Sequence, residues 1–409
     1  MLASQKFPQR FWLLVTISSL VANAVDIPAP ESFLRRVWPS VLGDYVYFDG
    51  GEVSELVNGI HPVANHPSYW VNSTISIDLR SSWTNMTVCL QATPKTDVPI
   101  FNSESLWLDV SSRSFYIWSG SMGYDRLAPN NELWKFTADG NGGGAWESVK
   151  PGNEAAFSDL VRPRDCMFCV VNNTGYCLGG VVESKSDPSI PKGVSIALSG
   201  IVSYDIGSQK WENISSVGFG SYGTLFSGRA EHVPFGPNGL ILVLGGFESP
   251  VGNPNKTNDI DFGKLWIWDP LMVLSTYNRV AADPETCMLS IGGNVATTKW
   301  PDSLLDQDPW SQGLGVMDMP KMSWTSGYDA SAADYDSPEI IKDWYSQGEL
   351  EMVAWTSEAV RDMFTYSNVQ ELDSHYGGQQ YVSELPSHEN QFASELPNDV
   401  LLAELPGSN

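Results

Sequence analysis

Long apolar runs are the first thing this 409-residue sequence lacks. Beyond its N-terminal region, no stretch reaches the roughly 18 apolar residues that a helix needs to cross about 30 Å of hydrocarbon, so no transmembrane helix is expected. Basic charge is also scarce, with 23 Lys and Arg against 48 Asp and Glu and a formal net charge of -25. Phosphate backbones and anionic bilayers attract clustered cations, which argues against nucleic acid or a membrane surface as a general partner. Histidine and cysteine are rare, five of each, which leaves little material for metal centres.

The N-terminus is where the apolar residues gather. Lys6 and Arg10 flank Phe11–Val21, an 11-residue run of the length of a signal-peptide core, and Ala22-Asn23-Ala24 supplies a small-x-small cleavage pattern. Residues 1–24 are expected to be a signal peptide; the alternative, a membrane anchor, would need a longer run. Export agrees with five Asn-x-Ser/Thr sequons, at Asn72, Asn85, Asn172, Asn213 and Asn255, which predict exposed turns that carry glycans. In an oxidising compartment Cys89, Cys166, Cys169, Cys177 and Cys287 predict one or two disulfides and at least one unpaired thiol. Cys169 and Cys177 flank the turn signal Asn172–Gly175 and are expected to face each other across a hairpin. Zinc at Cys166-x-x-Cys169 is not expected, because no histidine or fourth cysteine lies nearby.

What the chain has in quantity is repetition. A β-type run ending in small residues recurs as Tyr45–Asp49 before Gly50-Gly51, Phe115–Ser119 before Gly120 and Tyr176–Leu178 before Gly179-Gly180. It returns as Leu240–Leu244 before Gly245-Gly246 and as Met288–Ile291 before Gly292-Gly293. Aromatic and β-branched residues suit strands, and glycine permits the tight turn or close approach that follows. Each run precedes a polar-flanked element, which in four of the five copies ends in tryptophan, at Trp83, Trp146, Trp211 and Trp324. Asp205 and Trp211, like Asp318 and Trp324, stand six residues apart, which fits a short hairpin whose tryptophan packs between neighbouring sheets. Repetition at roughly 50 to 70 residues favours stacked units over a generic sandwich.

These residues resemble the kelch family: a hydrophobic run, a Gly-Gly pair, then Tyr-Asp and Trp. The closest copy is Tyr176–Trp211, the Phe115–Trp146 copy is degenerate, and the likeness covers roughly residues 30 to 345. Asp308–Met319, Ser323–Ala330, Tyr335–Glu339 and Trp344-Tyr345 resemble the closing part of fungal secreted or surface kelch proteins. The resemblance implies an all-β, kelch-type β-propeller over residues 25–345 and no particular reaction. One interval is abnormal, since Asp205 to Gly245 spans 40 residues and Asp269 to Gly292 only 23. The fourth unit is read as lacking its outer strand. Five blades and an imperfect six both stand, as do a compressed seam and a lost exon.

Residues 346–365 form a connecting segment. Residues 366–409 hold no Lys or Arg, seven acidic residues and a recurring Glu-Leu unit at Glu371, Glu384, Glu395 and Glu404, the last three followed by proline. This composition predicts a disordered acidic tail, and its repetition suggests a linear-motif array. The fungal relatives often carry a transmembrane helix before such a tail; without it the expectation is a secreted protein, and with it a type I surface protein.

Function is expected to be binding. The chain reads as an extracellular or cell-surface scaffold for a protein or cell-wall polysaccharide, monomeric and without a cofactor. Tyr69, Trp70, Trp300 and Trp310 lie in loop-like segments and are candidates to stack on a sugar or peptide. The alternatives are a structural wall component and a carbohydrate-active enzyme. A copper radical oxidase on this fold, as the resemblance implies, would need two histidines and a tyrosine bonded to cysteine. His61 and His66 sit in a proline-containing loop, His232 precedes a strand, and His375 and His388 fall in the tail, so the set is not found. Asp259 and Asp261 have no spacing that selects them as glycosidase acids. Gly140–Ala145 lacks the lysine and following helix of a phosphate cradle.

Overall fold

The Tyr-, Val- and Ile-rich runs become strands, because branched and aromatic side chains pack well on a pleated surface. The computed structural model describes residues 38–55, 68–123, 126–214, 223–233, 239–260, 310–333 and 335–348, with strands Ser32–Arg35, Lys264–Trp268 and Cys287–Ile291 and the short pieces 24–25, 353, 358, 361–362 and 403–404. The chain is all-β, and its main sheets are antiparallel and follow one another along the sequence.

Sheet I contains Trp38–Leu42, Tyr45–Asp49, Ser73–Asp78 and Leu90–Pro94 in that order. Sheet II contains Phe101–Asp109, Ser114–Met122, Leu133–Ala138 and Gly144–Val149. Sheet III contains Met167–Val171, Thr174–Leu178, Ile201–Asp205 and Lys210–Ile214. Sheet IV has Arg229–Val233, Leu240–Leu244 and Lys264–Trp268, with Ala403–Glu404 on its edge. Sheet V has Cys287–Ile291, Leu314–Asp318 and Ser323–Thr325. The first strands of sheets I to IV lie beside one another in that order.

The glycine pairs join one sheet to the next. Gly51 N–H donates to the Phe101 carbonyl (3.1 Å), Gly120 N–H to Pro163 (2.8 Å) and Gly180 N–H to Leu225 (3.0 Å), each acceptor lying in the chain that leads into the following sheet. At Gly179 φ is +61°, and a Cβ would strike the Leu225 carbonyl, so side chains are excluded on two counts. In the degenerate second copy Ser119 takes the first position with φ +70°. Gly292 and Gly293 lie outside the described residues.

Apolar cores fill the spaces between sheets. Tyr47 and Tyr45 of sheet I pack with Phe101, Phe115 and Phe136 of sheet II. Trp107 and Trp118 of sheet II pack with Tyr204 and Trp211 of sheet III. Leu178 and Ile201 of sheet III pack with Leu240 and Ile241 of sheet IV. Phe48 and Ile75 of sheet I share a core with Leu314 and Val316 of sheet V. There Gly327-Tyr328 also pairs antiparallel with Trp83-Thr84, and Tyr328 stacks on Trp83 with centroids 5.5 Å apart. The last sheet therefore meets the first. Between first strands, Trp38 is met edge-on by Phe168 at 4.8 Å and capped by the Arg229 guanidinium 3.4 Å from the ring centre.

The disulfide differs from the expected Cys169–Cys177 pair. Cys166 bonds Cys177, with Cα atoms 5.7 Å apart, and Cys169 is a buried free thiol. Strand parity explains the change. The hairpin turns in two residues, Asn172 and Asn173, both at positive φ, so Cys177 lies opposite Phe168 and Cys169 opposite Tyr176. Neighbouring residues on a strand face opposite sides, which puts Cys169 on the wrong face and leaves Cys166, two before Phe168, on the right one. Cys89 is exposed and free.

Candidate functional site

In each antiparallel sheet the first-to-second and third-to-fourth connections share one end, and the second-to-third connection lies at the other. The first kind is mostly short, as at 43–44, 110–113, 172–173 and 206–209. The second kind is long in sheets I, III and IV and carries extra strands, Glu52–Glu55 with Tyr69–Val71, Val181–Glu183 with Ser195–Ala197, and Phe247–Pro250 with Asn258-Asp259. The longer connections are thus concentrated at one end, where a scaffold positions variable loops.

A cavity of about 360 Å³ opens at this end. Residues that follow the repeat glycines line it: Glu52 directly after Gly51, Ser121 directly after Gly120, and Glu183 in the strand that follows Gly180. Asn102 and Ser103, where sheet II begins, and Arg164 and Asp165, before sheet III, complete the wall with Met122, Gly123 and Lys185. Arg164 bonds Glu183 through Nε (3.0 Å) and pairs with Asp165. Burial opposes its charge, but the two carboxylates outweigh burial and hold its pKa above the usual value. The lining is mostly polar, and its arginine is held by two carboxylates.

Arg162 holds the surrounding connections in place. Its Nε donates to Ser186 O (2.7 Å), and its two Nη atoms donate to Asn130 O (3.1 Å) and Pro129 O (2.9 Å), while its backbone N–H donates to Asp187 Oδ2 (2.8 Å). Burial lowers its pKa to about 10 against the opposing pull of Asp187 and Glu132. At the join of sheets I and II, Lys95 and Asp49 form a fully buried ion pair at 2.6 Å, and Asp49 also accepts from Thr74 Oγ1 at 2.7 Å. Beside them the Glu104 side chain is buried with neither oxygen hydrogen-bonded. Burial, then Asp49, raises its pKa well above the usual value, with Lys95 opposing. No sequence motif marked Arg162, Lys95 or Glu104; a lone charged residue in a β-rich stretch was the only sign available.

Among the described residues, the expected stacking residues Tyr69, Trp70 and Trp310 are wholly or partly buried. Trp70 is only 8 % exposed; Gly123 lets its indole lie against the backbone, and the Arg126 guanidinium covers its ring at 4.2 Å. Tyr69 is half-buried beside it. Trp310 is half-buried against Gly315 and Trp324, the latter at 5.8 Å, and Trp300 lies outside the described residues. The repeat tryptophans behave differently: Trp211 packs on Trp107 and Trp118 of the preceding sheet, Trp146 donates through Nε1 to Thr74 of sheet I (3.0 Å), and Trp324 is 46 % exposed.

Among the sequons, Asn172, Asn213 and Asn255 are exposed and Asn72 is half-buried. Asn85 is 5 % exposed, its Nδ2 donating to Leu314 O (3.3 Å), so this one does not stand on an open turn. The Gly140–Ala145 loop docks on sheet I, Ser76 Oγ donating to Gly142 O at 2.6 Å. His232 Nε2 is buried against Gly239 without a hydrogen bond, and burial lowers its pKa. His61, His66, His375, His388 and Asp261 lie outside the described residues, and Asp259 is exposed. Among the described residues no three potential metal ligands cluster, and no helix is long and apolar enough to cross a membrane. No family model and no curated protein matches the chain.

Proposed function

We propose that the chain is a kelch-type β-propeller exported from the cell, which binds a protein or cell-wall polysaccharide at the end where its long connections meet. The reading of a propeller is supported by the succession of antiparallel sheets, the glycine bonds between them, and the core shared by the last sheet and the first. The observation that carries the binding function is the polar cavity at one end, lined by residues that follow the glycines of three successive units. With Arg164 held by Asp165 and Glu183, the serine, asparagine and carboxylate groups of the lining favour a ligand recognised by hydrogen bonds, such as a polyhydroxylated sugar or a peptide backbone.

The glycosylated protein, passed over immobilised wall polysaccharides and crosslinked to cell-surface proteins, tests this. A Ser121→Tyr variant, which fills the cavity, is expected to lose retention while keeping its thermal unfolding midpoint. Equal retention of the variant and the parent, or retention of neither on any surface, would sink the proposal.

A further inference from the structure

Sheets IV and V are short of chain. In the three earlier steps, the third strand of one sheet and the second strand of the next are separated by residues 79–113, 139–173 and 206–239, which hold an outer strand, a link and an inner strand. Between Lys264–Trp268 and Cys287–Ile291 stand only residues 269–286, although Cys287–Ile291 precedes a glycine pair as second strands do elsewhere. The shortest pieces used in the other sheets are the turn 206–209, a five-residue outer strand, the link 95–100, a five-residue inner strand and the turn 172–173. Together they exceed the space between 269 and 286. At least one strand place therefore has no local chain to fill it.

A strand left on an edge presents unpaired N–H and C=O groups, a template for another extended segment. Along Lys264–Trp268 lies Ala403-Glu404, antiparallel, with Ala403 opposite Leu265 and Glu404 opposite Lys264. We propose that the acidic C-terminal tail is the donor strand for this edge, and that its Glu-Leu-Pro segments are interchangeable occupants. The same order, a small residue before Glu-Leu-Pro, stands at Ser383-Glu384, Ser394-Glu395 and Ala403-Glu404. The proline two residues further on has no N–H to offer, so it ends the added strand and keeps another chain from continuing the ladder. Attachment to the same chain gives each segment a local concentration in the millimolar range, and three copies raise the occupancy of one edge.

Hydrogen–deuterium exchange on the full-length protein tests the assignment. A full-length variant carrying Ser383→Pro, Ser394→Pro and Ala403→Pro removes an N–H from every candidate strand. Exchange over residues 264–268 is expected to quicken roughly tenfold, with sheets I to III unchanged as the folding control. A synthetic peptide of residues 399–409 is expected to restore protection. Unchanged protection over 264–268 in the variant overturns the proposal. So does a parent that runs as a dimer by light scattering and a variant that runs as a monomer, because the tail would then serve a second copy.

Discussion

Single residues carry the least legible chemistry of this chain. Glu104 and Glu231 are ordinary glutamates in the sequence, yet burial raises both, Glu231 to about 7 and Glu104 well above its usual range. For a carboxyl raised on folding, the unfolded chain releases its proton near 4.5 while the folded chain keeps it, so stability is greatest below that pH and falls as pH rises through the folded pKa. The thermal midpoint is therefore expected to decline from about pH 4.5 upward. Glu231→Gln should remove the part that ends near pH 7, and Glu104→Gln should make the remaining decline shallower; a flat profile in the parent would contradict the burial of both. Cysteine chemistry sits at the same scale. Cys177→Ser should destabilise the protein by about 2–4 kcal/mol in denaturant titration. Cys169→Ser should leave the disulfide intact by mass spectrometry under non-reducing digestion.

At the scale of the element, the strand–glycine–strand unit was legible because its physics is local. A run of aromatic and branched residues must pair, and a chain that turns closely against the next sheet favours glycine. Even the degenerate copy kept the conformation, Ser119 accepting positive φ where the other copies have glycine. Close approach separates glycines that look alike in sequence. Gly193→Ala, at φ +83° with nothing within 4 Å, is expected to cost about 1–2 kcal/mol from backbone strain alone. Gly179→Ala must also displace the Leu225 carbonyl, and its loss in chemical denaturation should be larger by at least about 1 kcal/mol. Equal losses would mean that the join between sheets III and IV yields freely. The disulfide partner was not legible, because it depends on turning the hairpin in two residues, which sets which cysteine shares a face with Cys177.

For the whole molecule, the join between the ends of the chain matters most. Trp83 and Tyr328 lie 245 positions apart and stack where sheets I and V meet. Tyr328→Ala is expected to lower stability by roughly 1–3 kcal/mol and to speed exchange in sheets I and V before sheet III. Uniform loosening would mean that the join contributes nothing special. Glycan occupancy is also decided at this scale. If the chain is exported as proposed, peptide mass spectrometry should find glycan at Asn172, Asn213 and Asn255, and little at Asn85, whose side chain is buried and bonded to Leu314.

The repeating unit, the all-β class and the shortage of chain between sheets IV and V are written along the chain, because strand pattern, glycine placement and residue counts are properties of neighbours in sequence. The folded hairpin selects the partner of Cys177, while packing between sheets is what covers Trp70 with Arg126, buries Asn85, and leaves Glu104 without a hydrogen bond beside Lys95 and Asp49. The last three depend on what a different sheet brings to the same place, and burial by a distant segment leaves no mark on the residues next door.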